Sequence, residues 1–257
     1  MLETFLTLLA AHMVADFLLQ FDWVIRNKRK PAVFAFHAAV VGVTALMALG
    51  VWTESWAEGF MAAVLVTAAH AAIDAVKTWG RVPQAFARPR GWDFEAFTLD
   101  QLAHLASILA VAALLPTAFA DGAWAGLAPG DGRIVLAGYA LLAGFLIAAR
   151  AGQFFIALFM SRFALTETRD ATDADQGLVN GGAWIGLLER SLVFALVLAG
   201  RFDAIGFLIA AKSVLRFSYA SKDRSHSEYV IIGTLMSFSW AIASAGMTLA
   251  ALHHLAG

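Results

Sequence analysis

Long apolar segments alternate with short polar connections along the whole chain. Eight of these segments are long enough to cross a hydrocarbon core of about 30 Å as helices that rise about 1.5 Å per residue. They lie at roughly residues 2–20, 33–52, 57–77, 96–115, 133–160, 182–200, 203–219 and 228–252. The pattern predicts an all-α fold, a polytopic membrane bundle of about eight transmembrane helices. The fifth segment is long and carries Arg150, so we expect it to tilt, to extend beyond the bilayer or to break near Ala151-Gly152.

A stretch rich in glycine, alanine and proline interrupts this alternation near the middle of the chain. It reads PTAFADGAWAGLAPGDG and covers residues 116–132. We interpret it as an outer loop between two four-helix halves, residues 1–115 and 133–257. The two halves show no convincing sequence repeat.

The composition agrees with a membrane protein and excludes other classes. Hydrophobic residues make up 60% of the chain and charged residues 14%, with a mean hydropathy of +0.72. The net charge is −1 and the charges are sorted by loop, so no basic patch indicates a nucleic-acid partner. The absence of cysteine excludes disulfides, thiolate metal sites and cysteine nucleophiles. The chain also lacks P-loop, HExxH and GxSxG motifs.

Basic residues are concentrated in alternate connections between the predicted helices. The connections after the first, third, fifth and seventh helices carry Arg26, Lys28, Arg29 and Lys30, then Lys77, Arg81, Arg88 and Arg90, then Arg162 and Arg169, then Lys222 and Arg224. The connections after the second and fourth helices carry Glu54, Glu58, Asp121 and Asp131. The positive-inside rule therefore predicts cytoplasmic basic loops and two outer termini. The start, Met1-Leu2-Glu3, lacks signal-peptide features, so we expect the first helix to be retained.

Histidine and aspartate recur four residues apart in the first four predicted helices. The first helix contains HMVADFLLQ, the third HAAIDAVK and the fourth DQLAH, while the second adds the histidine of FAFHAAV. The residues concerned are His12, Asp16, His37, His70, Asp74, Asp100 and His104. Residues four apart share a helix face, and all seven fall in the cytoplasmic half of the predicted bundle. Bundles build metal sites from such inward side chains on facing helices.

Three aspartates inside a membrane require neutralisation. Each costs on the order of 2.5–3.5 kcal/mol on insertion scales, and no Lys or Arg lies deep in these four predicted helices. Imidazole with carboxylate suits Zn²⁺, Fe²⁺ or Mn²⁺. We therefore predict one or two such ions held by the seven side chains, with Asp16, Asp74 or Asp100 as a catalytic base. A metal-free proton or ion relay and a structural network remain alternatives, and we interpret Gln20 as a rim residue and Lys28 as positive-inside charge.

A second charged group lies in the C-terminal half. Glu189 and Arg190 fall about two turns into the sixth predicted helix, and Lys212 and Arg216 lie four residues apart in the seventh. These acids and bases could neutralise one another in an ion-pair network. Alternatively, the positive charges bind the headgroup or phosphate of an anionic substrate, and the four residues then form a substrate-binding site.

Six sequence blocks resemble an uncharacterised bacterial integral-membrane family, domain of unknown function 3307. The blocks are AHMVADFLLQFDW, HAAIDAVK, DQLAHL, IGLLERSL, AAKSVLRFS and EYVIIGTLMSFS, and the resemblance covers essentially the full length. It implies the bacterial inner (cytoplasmic) membrane and no established activity. The HxxxD-type pairs are also similar in pattern to inner-membrane proteins described as predicted metal-dependent hydrolases. Those proteins carry an acidic loop motif followed by paired histidines, which this chain lacks, so hydrolysis is an analogy.

Three functions fit these observations. The first is a membrane-embedded, metal-dependent hydrolase that acts on a lipid-like or anionic substrate from the cytoplasmic side, with membrane lipid as its partner. The second is a transporter or channel for a divalent cation or protons, which requires a polar route to the outer face. The third is a non-enzymatic membrane scaffold. The outer halves of the first four predicted helices are almost wholly apolar, which favours the first function.

Overall fold

The computed structural model describes residues 1–52, 56–80, 92–126, 131–163, 181–217 and 224–256. Helices dominate these ranges, and no strand occurs within them, which confirms the all-α prediction. The α-helices are α1 (Leu2–Phe17), α2 (Asp22–Asn27), α3 (Pro31–Leu49), α4 (Ala57–Trp79), α5 (Trp92–Leu114), α6 (Asp131–Leu146), α7 (Gly152–Met160), α8 (Gly181–Leu198), α9 (Phe202–Phe217) and α10 (Arg224–Ala256). A π-helical turn, Ile147–Ala151, joins α6 to α7.

Six helical segments are long and apolar enough to cross a membrane. They are Pro31–Leu49, Ala57–Trp79, Asp93–Leu114, Gly132–Phe163, Gly181–Leu198 and Ser227–Ala256. The other two predicted spans correspond to α1 and α9, which have 16 residues each, or about 24 Å of helix, and are therefore shorter than a hydrocarbon core of about 30 Å. The structure thus supports a helical protein with six candidate membrane spans, and the count of eight in two halves stays a prediction.

The chain forms two compact units. One contains residues 1–146 and 250–257, and the other contains residues 147–249. In the first unit α1 is the central helix, since it packs against α3, α5 and α6, and ten of its 16 residues are buried. Helix α4 completes this group by packing against α3 and α5. A short α1 is therefore surrounded by protein rather than by solvent or lipid.

The segment after α5 packs over one end of the first unit. Phe119 is 2% exposed and belongs to the same buried core as Leu8, Leu49 and Ile108. Side chains also fix this segment, because Thr4 Oγ1 donates to a backbone carbonyl of the segment at 3.0 Å, and Trp124 Nε1 donates to a carbonyl of α3 at 2.7 Å. The part of the predicted outer loop that is described thus belongs to the folded core of this unit.

Gly50 ends α3 in a conformation that an L side chain adopts only with strain. Its φ is +69°, and a Cβ built there would lie 2.9 Å from the backbone nitrogen of Ala123 and 2.9 Å from Cδ1 of Trp124. We expect Gly50→Ala to lower the free energy of unfolding by about 2 kcal/mol or more, through backbone strain plus the clash. Thermal unfolding in detergent measures this change.

Gly200 provides the matched control for that substitution. Its φ is +67°, but nothing lies within 4 Å of the Cβ that alanine would add. Gly200→Ala therefore tests the strain alone, about 1 kcal/mol. Equal losses in the two variants would show that the close approach at Gly50 is not what requires glycine there.

The second unit is built around the π-helical turn. Its buried core includes Ala148, Val193, Phe194 and Ala241. A π turn has i→i+5 hydrogen bonds in place of the i→i+4 bonds of an α-helix, and here three consecutive carbonyls of the turn also receive side-chain donors. Trp240 Nε1 donates to the carbonyl of residue 147 at 2.8 Å, and the Arg190 guanidinium donates to those of residues 148 and 149 at 3.0 Å each. The fifth predicted span thus contains an irregular turn next to the expected break.

Candidate metal centre

The seven predicted histidines and aspartates meet in the first unit. Four helices contribute them: α1, α3, α4 and α5. We refer to this set as the His/Asp cluster, and its members are His12, Asp16, His37, His70, Asp74, Asp100 and His104. The exposed fraction of each side chain is 9% or less. Packing of α1 against α3 and α5, and of α4 against α3 and α5, turns the four-residue repeats of separate helices into one buried polar layer.

Half of the cluster is a compact arrangement of two imidazoles and two carboxylates. His37 Nε2 lies 3.3 Å from Asp16 Oδ1 and 3.5 Å from Asp74 Oδ2. His70 Nε2 lies 3.5 Å and 3.2 Å from the same two oxygens. The two Nε2 atoms are 3.1 Å apart. Each of the two carboxylate oxygens therefore lies close to both imidazole nitrogens, and the four atoms come from three helices.

His70 also belongs to a second arrangement in the cluster, which is formed mainly by the imidazole rings of His70, His104 and His12. The rings of His70 and His104 stack with centroids 4.2 Å apart, and the ring of His12 lies 5.0 Å from that of His104. Within the described part of the chain, neither ring nitrogen of His104 has a hydrogen-bond partner, although the residue is only 1% exposed. A buried imidazole without hydrogen-bond partners is costly, so the ring nitrogens of His104 could accept an ion or a proton donor.

Two lysines neutralise two of the aspartates, which corrects one expectation from the sequence. Lys28 Nζ lies 2.6 Å from Asp74 Oδ2, and Lys77 Nζ lies 2.6 Å from Asp100 Oδ2. The interpretation of Lys28 as mere positive-inside charge misses this contact, as does the argument that the aspartates lack basic neighbours. No signal in the sequence marked Lys28, because it follows the six-residue helix α2, which lies in a stretch interpreted as a connection.

Gln20 also takes part in the cluster. It lies beyond the end of α1 at Phe17, so it does not continue the helical face of His12 and Asp16. Its Nε2 nevertheless lies 3.2 Å from His37 Nε2. The side chain predicted to be a rim residue thus contacts one of the candidate ligands directly.

Three overlapping groups of side chains have ligand atoms within 4.8 Å of one another. They are His12, His70 and His104; Asp16, His37 and His70; and Asp74, Asp100 and His104. Around a tetrahedral ion with bonds of about 2.1 Å, neighbouring ligand atoms lie ~3.4 Å apart, so small side-chain movements close each group. The donor types and their burial fit a divalent transition metal.

A small cavity of about 10 Å³ borders the three imidazoles of His12, His70 and His104. This is about the space that one water molecule needs. Apart from these histidines and Ser107, its lining is apolar and includes Leu8 and Ile108. The polar layer therefore ends at this side of the cluster.

The second predicted charged group has a different geometry. Lys212 Nζ lies 2.5 Å from Glu189 Oε2, and the buried Arg190 donates to backbone carbonyls and lies 3.4 Å from Ser237 Oγ. The side chain of Arg216 lies outside the described part of the structure. Glu189, Lys212 and Arg190 thus have partners within their own unit, and a role for the four residues in binding substrate stays a prediction.

Comparison with known proteins identifies a family for the first part of the chain. Residues 4–123 match the model of a family described as "Protein of unknown function (DUF3307)". This match confirms the family predicted from the sequence blocks, and the matched segment contains the entire His/Asp cluster. The blocks beyond residue 123 lie outside it. Neither the curated proteins nor the solved structures gave a significant match.

Proposed function

We propose that this protein binds a divalent transition-metal ion within the membrane and uses it in a hydrolytic reaction on a lipid-like or anionic substrate. The observation that carries the proposal is the imidazole triad of His12, His70 and His104, which come from three different helices. His104 contributes two ring nitrogens that lack hydrogen-bond partners among the described residues. A purely structural network would satisfy such a buried group.

The charge of the cluster supports one ion rather than none. Three carboxylates face two ammonium groups, Lys28 and Lys77, so these five groups carry a net charge of −1. Three neutral imidazoles with an open position are a ligand set typical of catalytic zinc. When bound, such an ion activates water and polarises carbonyl or phosphoryl oxygens. Asp16 lies on the same helix face as His12 and would accept the proton of the attacking water.

The location of the lysines supports entry of substrate from one side. The side chain of Lys77 is 47% exposed and that of Lys28 is 15% exposed, so cationic groups lie where the cluster approaches the surface of its unit. On the other side, the cavity lining is apolar. An anionic substrate would meet the lysines first, and a continuous polar path for ion transport is not supported by this lining.

The proposal includes a location in the bacterial inner membrane with both termini outside. The positive-inside rule places Lys28 and Lys77 on the cytoplasmic side, so the cluster would open toward the cytoplasm. In this arrangement α1 and α9 complete eight crossings, with α1 surrounded by other helices. A cytoplasmic reporter fused to either terminus would be inactive, whereas an active reporter would reverse the orientation.

The first test is metal analysis of the purified protein. We expect about one zinc, iron or manganese ion per chain, and removal of the ion by a chelator should lower the thermal midpoint because the ion binds only the folded state. Absence of a stoichiometric transition metal, both after purification and after reconstitution with each ion, would eliminate the proposal.

The second test separates hydrolysis from transport. Metal-loaded protein in vesicles that contain anionic phospholipid should release a product that the metal-free protein does not release. Metal-dependent uptake of a divalent cation into sealed proteoliposomes, without product release, would replace the hydrolase by a transporter.

A further inference from the structure

Lys28 occupies a position that a metal ion could occupy. Its ammonium lies 2.6 Å from Asp74 Oδ2, and the same oxygen lies 3.2 Å from His70 Nε2 and 3.5 Å from His37 Nε2. The side chain starts from the residue directly after α2, two positions after Arg26 and three before α3 begins at Pro31. A long, flexible side chain from a short connection thus places a cation against the cluster.

The Asp74 oxygen that binds this ammonium belongs to a second possible ligand set. Asp16 Oδ1 is buried and, within the described residues, has no hydrogen-bond partner, although His37 Nε2 and His70 Nε2 lie 3.3 Å and 3.5 Å away. Together with Asp74 Oδ2, these atoms give two carboxylate oxygens and two imidazole nitrogens. Such a mixed oxygen and nitrogen set suits Mn²⁺, Fe²⁺ or Zn²⁺.

We propose that Asp16, His37, His70 and Asp74 form a second divalent-cation position, and that the Lys28 ammonium is a tethered cation that competes with a metal ion for it. This inference rests on the proposed metal centre and adds its regulation. A divalent ion and an ammonium bound to the same carboxylate repel each other strongly at such short range. Binding of the second ion therefore requires Lys28 to swing away from Asp74.

The competition explains why Asp74 is paired with a lysine and why that lysine side chain is flexible and partly exposed. With Lys28 in place, Asp74 is neutralised, so the resting cluster needs only one ion in the imidazole triad. The lysine stem has several rotatable bonds, and its side chain is 15% exposed. The ammonium can leave by side-chain rotation without movement of α1, α3 or α4.

The test uses variants of Lys28 in the full-length protein, titrated with Mn²⁺ or Zn²⁺ and analysed for bound metal per chain. We expect one ion in the wild type and two in Lys28→Met, with the second ion bound ~100-fold or more tightly than in the wild type, because a repelling charge has been removed. Lys28→Arg keeps the charge and should bind one ion. Lys30→Met removes an exposed lysine nearby and should also bind one.

The outcomes separate this inference from the proposed function. The wild type and Lys28→Met could both bind one ion and have the same weak affinity for a second. This result would refute the proposed competition between Lys28 and a second ion, but it would not contradict the first metal site. No bound ion in any variant would refute the metal centre itself. Should Lys28→Met not fold, Lys28→Gln is judged by the same criterion, because its amide can donate to Asp74 without carrying charge. Adding Asp74→Asn to either neutral variant should return the count to one.

Discussion

Replacement of His70 by alanine should reduce metal affinity at least ~100-fold, because loss of a group that merely supports a ligand already costs about 10–100-fold. His70 belongs to two of the three candidate ligand groups, and its ring stacks on that of His104 at 4.2 Å. Its Nε2 also lies within 3.5 Å of both Asp16 Oδ1 and Asp74 Oδ2. No other single substitution removes a ligand from the imidazole triad and from the site that Lys28 occupies at once.

His254→Ala is the matched control for this experiment. His254 is exposed near the end of α10, so its loss should leave both the metal content and the thermal midpoint unchanged. His70→Gln keeps a polar side chain in the cluster and separates loss of a ligand from loss of packing. If His70→Ala retained a full equivalent of metal at wild-type affinity, the imidazole triad would not be the metal centre.

Replacement of Arg190 by methionine should cost about 4 kcal/mol of folding free energy, or prevent folding. Arg190 is 4% exposed, and its guanidinium donates to two carbonyls of the π-helical turn at 3.0 Å each. Methionine fills similar volume but removes the guanidinium donors from two buried carbonyls, at about 1–3 kcal/mol each. Loss of the charged hydrogen bonds themselves adds to this cost. The midpoint of thermal unfolding in detergent measures the change.

Two further variants test the cause of that loss. Trp240→Phe removes one side-chain donor, the indole N–H, from the first carbonyl of the turn, so its effect should be about a third to a half of that of Arg190→Met. Arg201→Met breaks an exposed pair with Asp203 and should not change the midpoint measurably. Equal effects of Arg190→Met and Arg201→Met would show that the guanidinium does not support the π-helical turn.

The convergence of the His/Asp cluster was predictable from the sequence. His12 with Asp16, and His70 with Asp74, repeat at a helical spacing inside segments that can hardly be anything but helices. Their positions along those segments predict that these side chains lie at a similar depth in the helical bundle. Side chains at equal depth on neighbouring helices meet if the helices pack side by side, and the structure shows that they do.

The contacts of Lys28 could not be predicted in this way. Its position depends on the path of the connection between α1 and α3, which includes the short helix α2. Hydrophobic periodicity carries no information about such a turn. The charge of Lys28 was visible in the sequence, but only the fold places its ammonium against Asp74.

The π-helical turn was only partly foreseen. The pair Ala151-Gly152 indicated irregularity in a long apolar segment, but nothing in the local sequence predicts extra residues in a helical turn. The donors that satisfy its carbonyls, Arg190 and Trp240, come from α8 and α10. A long-range contact of this kind is decided by packing, whereas the sequence groups Arg190 with Lys212 only by charge.

The order of residues in the two lysine–aspartate pairs bears on how the protein is synthesised. Lys28 precedes Asp74 along the chain, and Lys77 precedes Asp100. During translation from the N-terminus, each ammonium is therefore made before the carboxylate that it neutralises. If α4 and α5 are inserted into a bilayer in chain order, neither aspartate would enter it before its counter-ion exists, and the cost of inserting each helix would be lower.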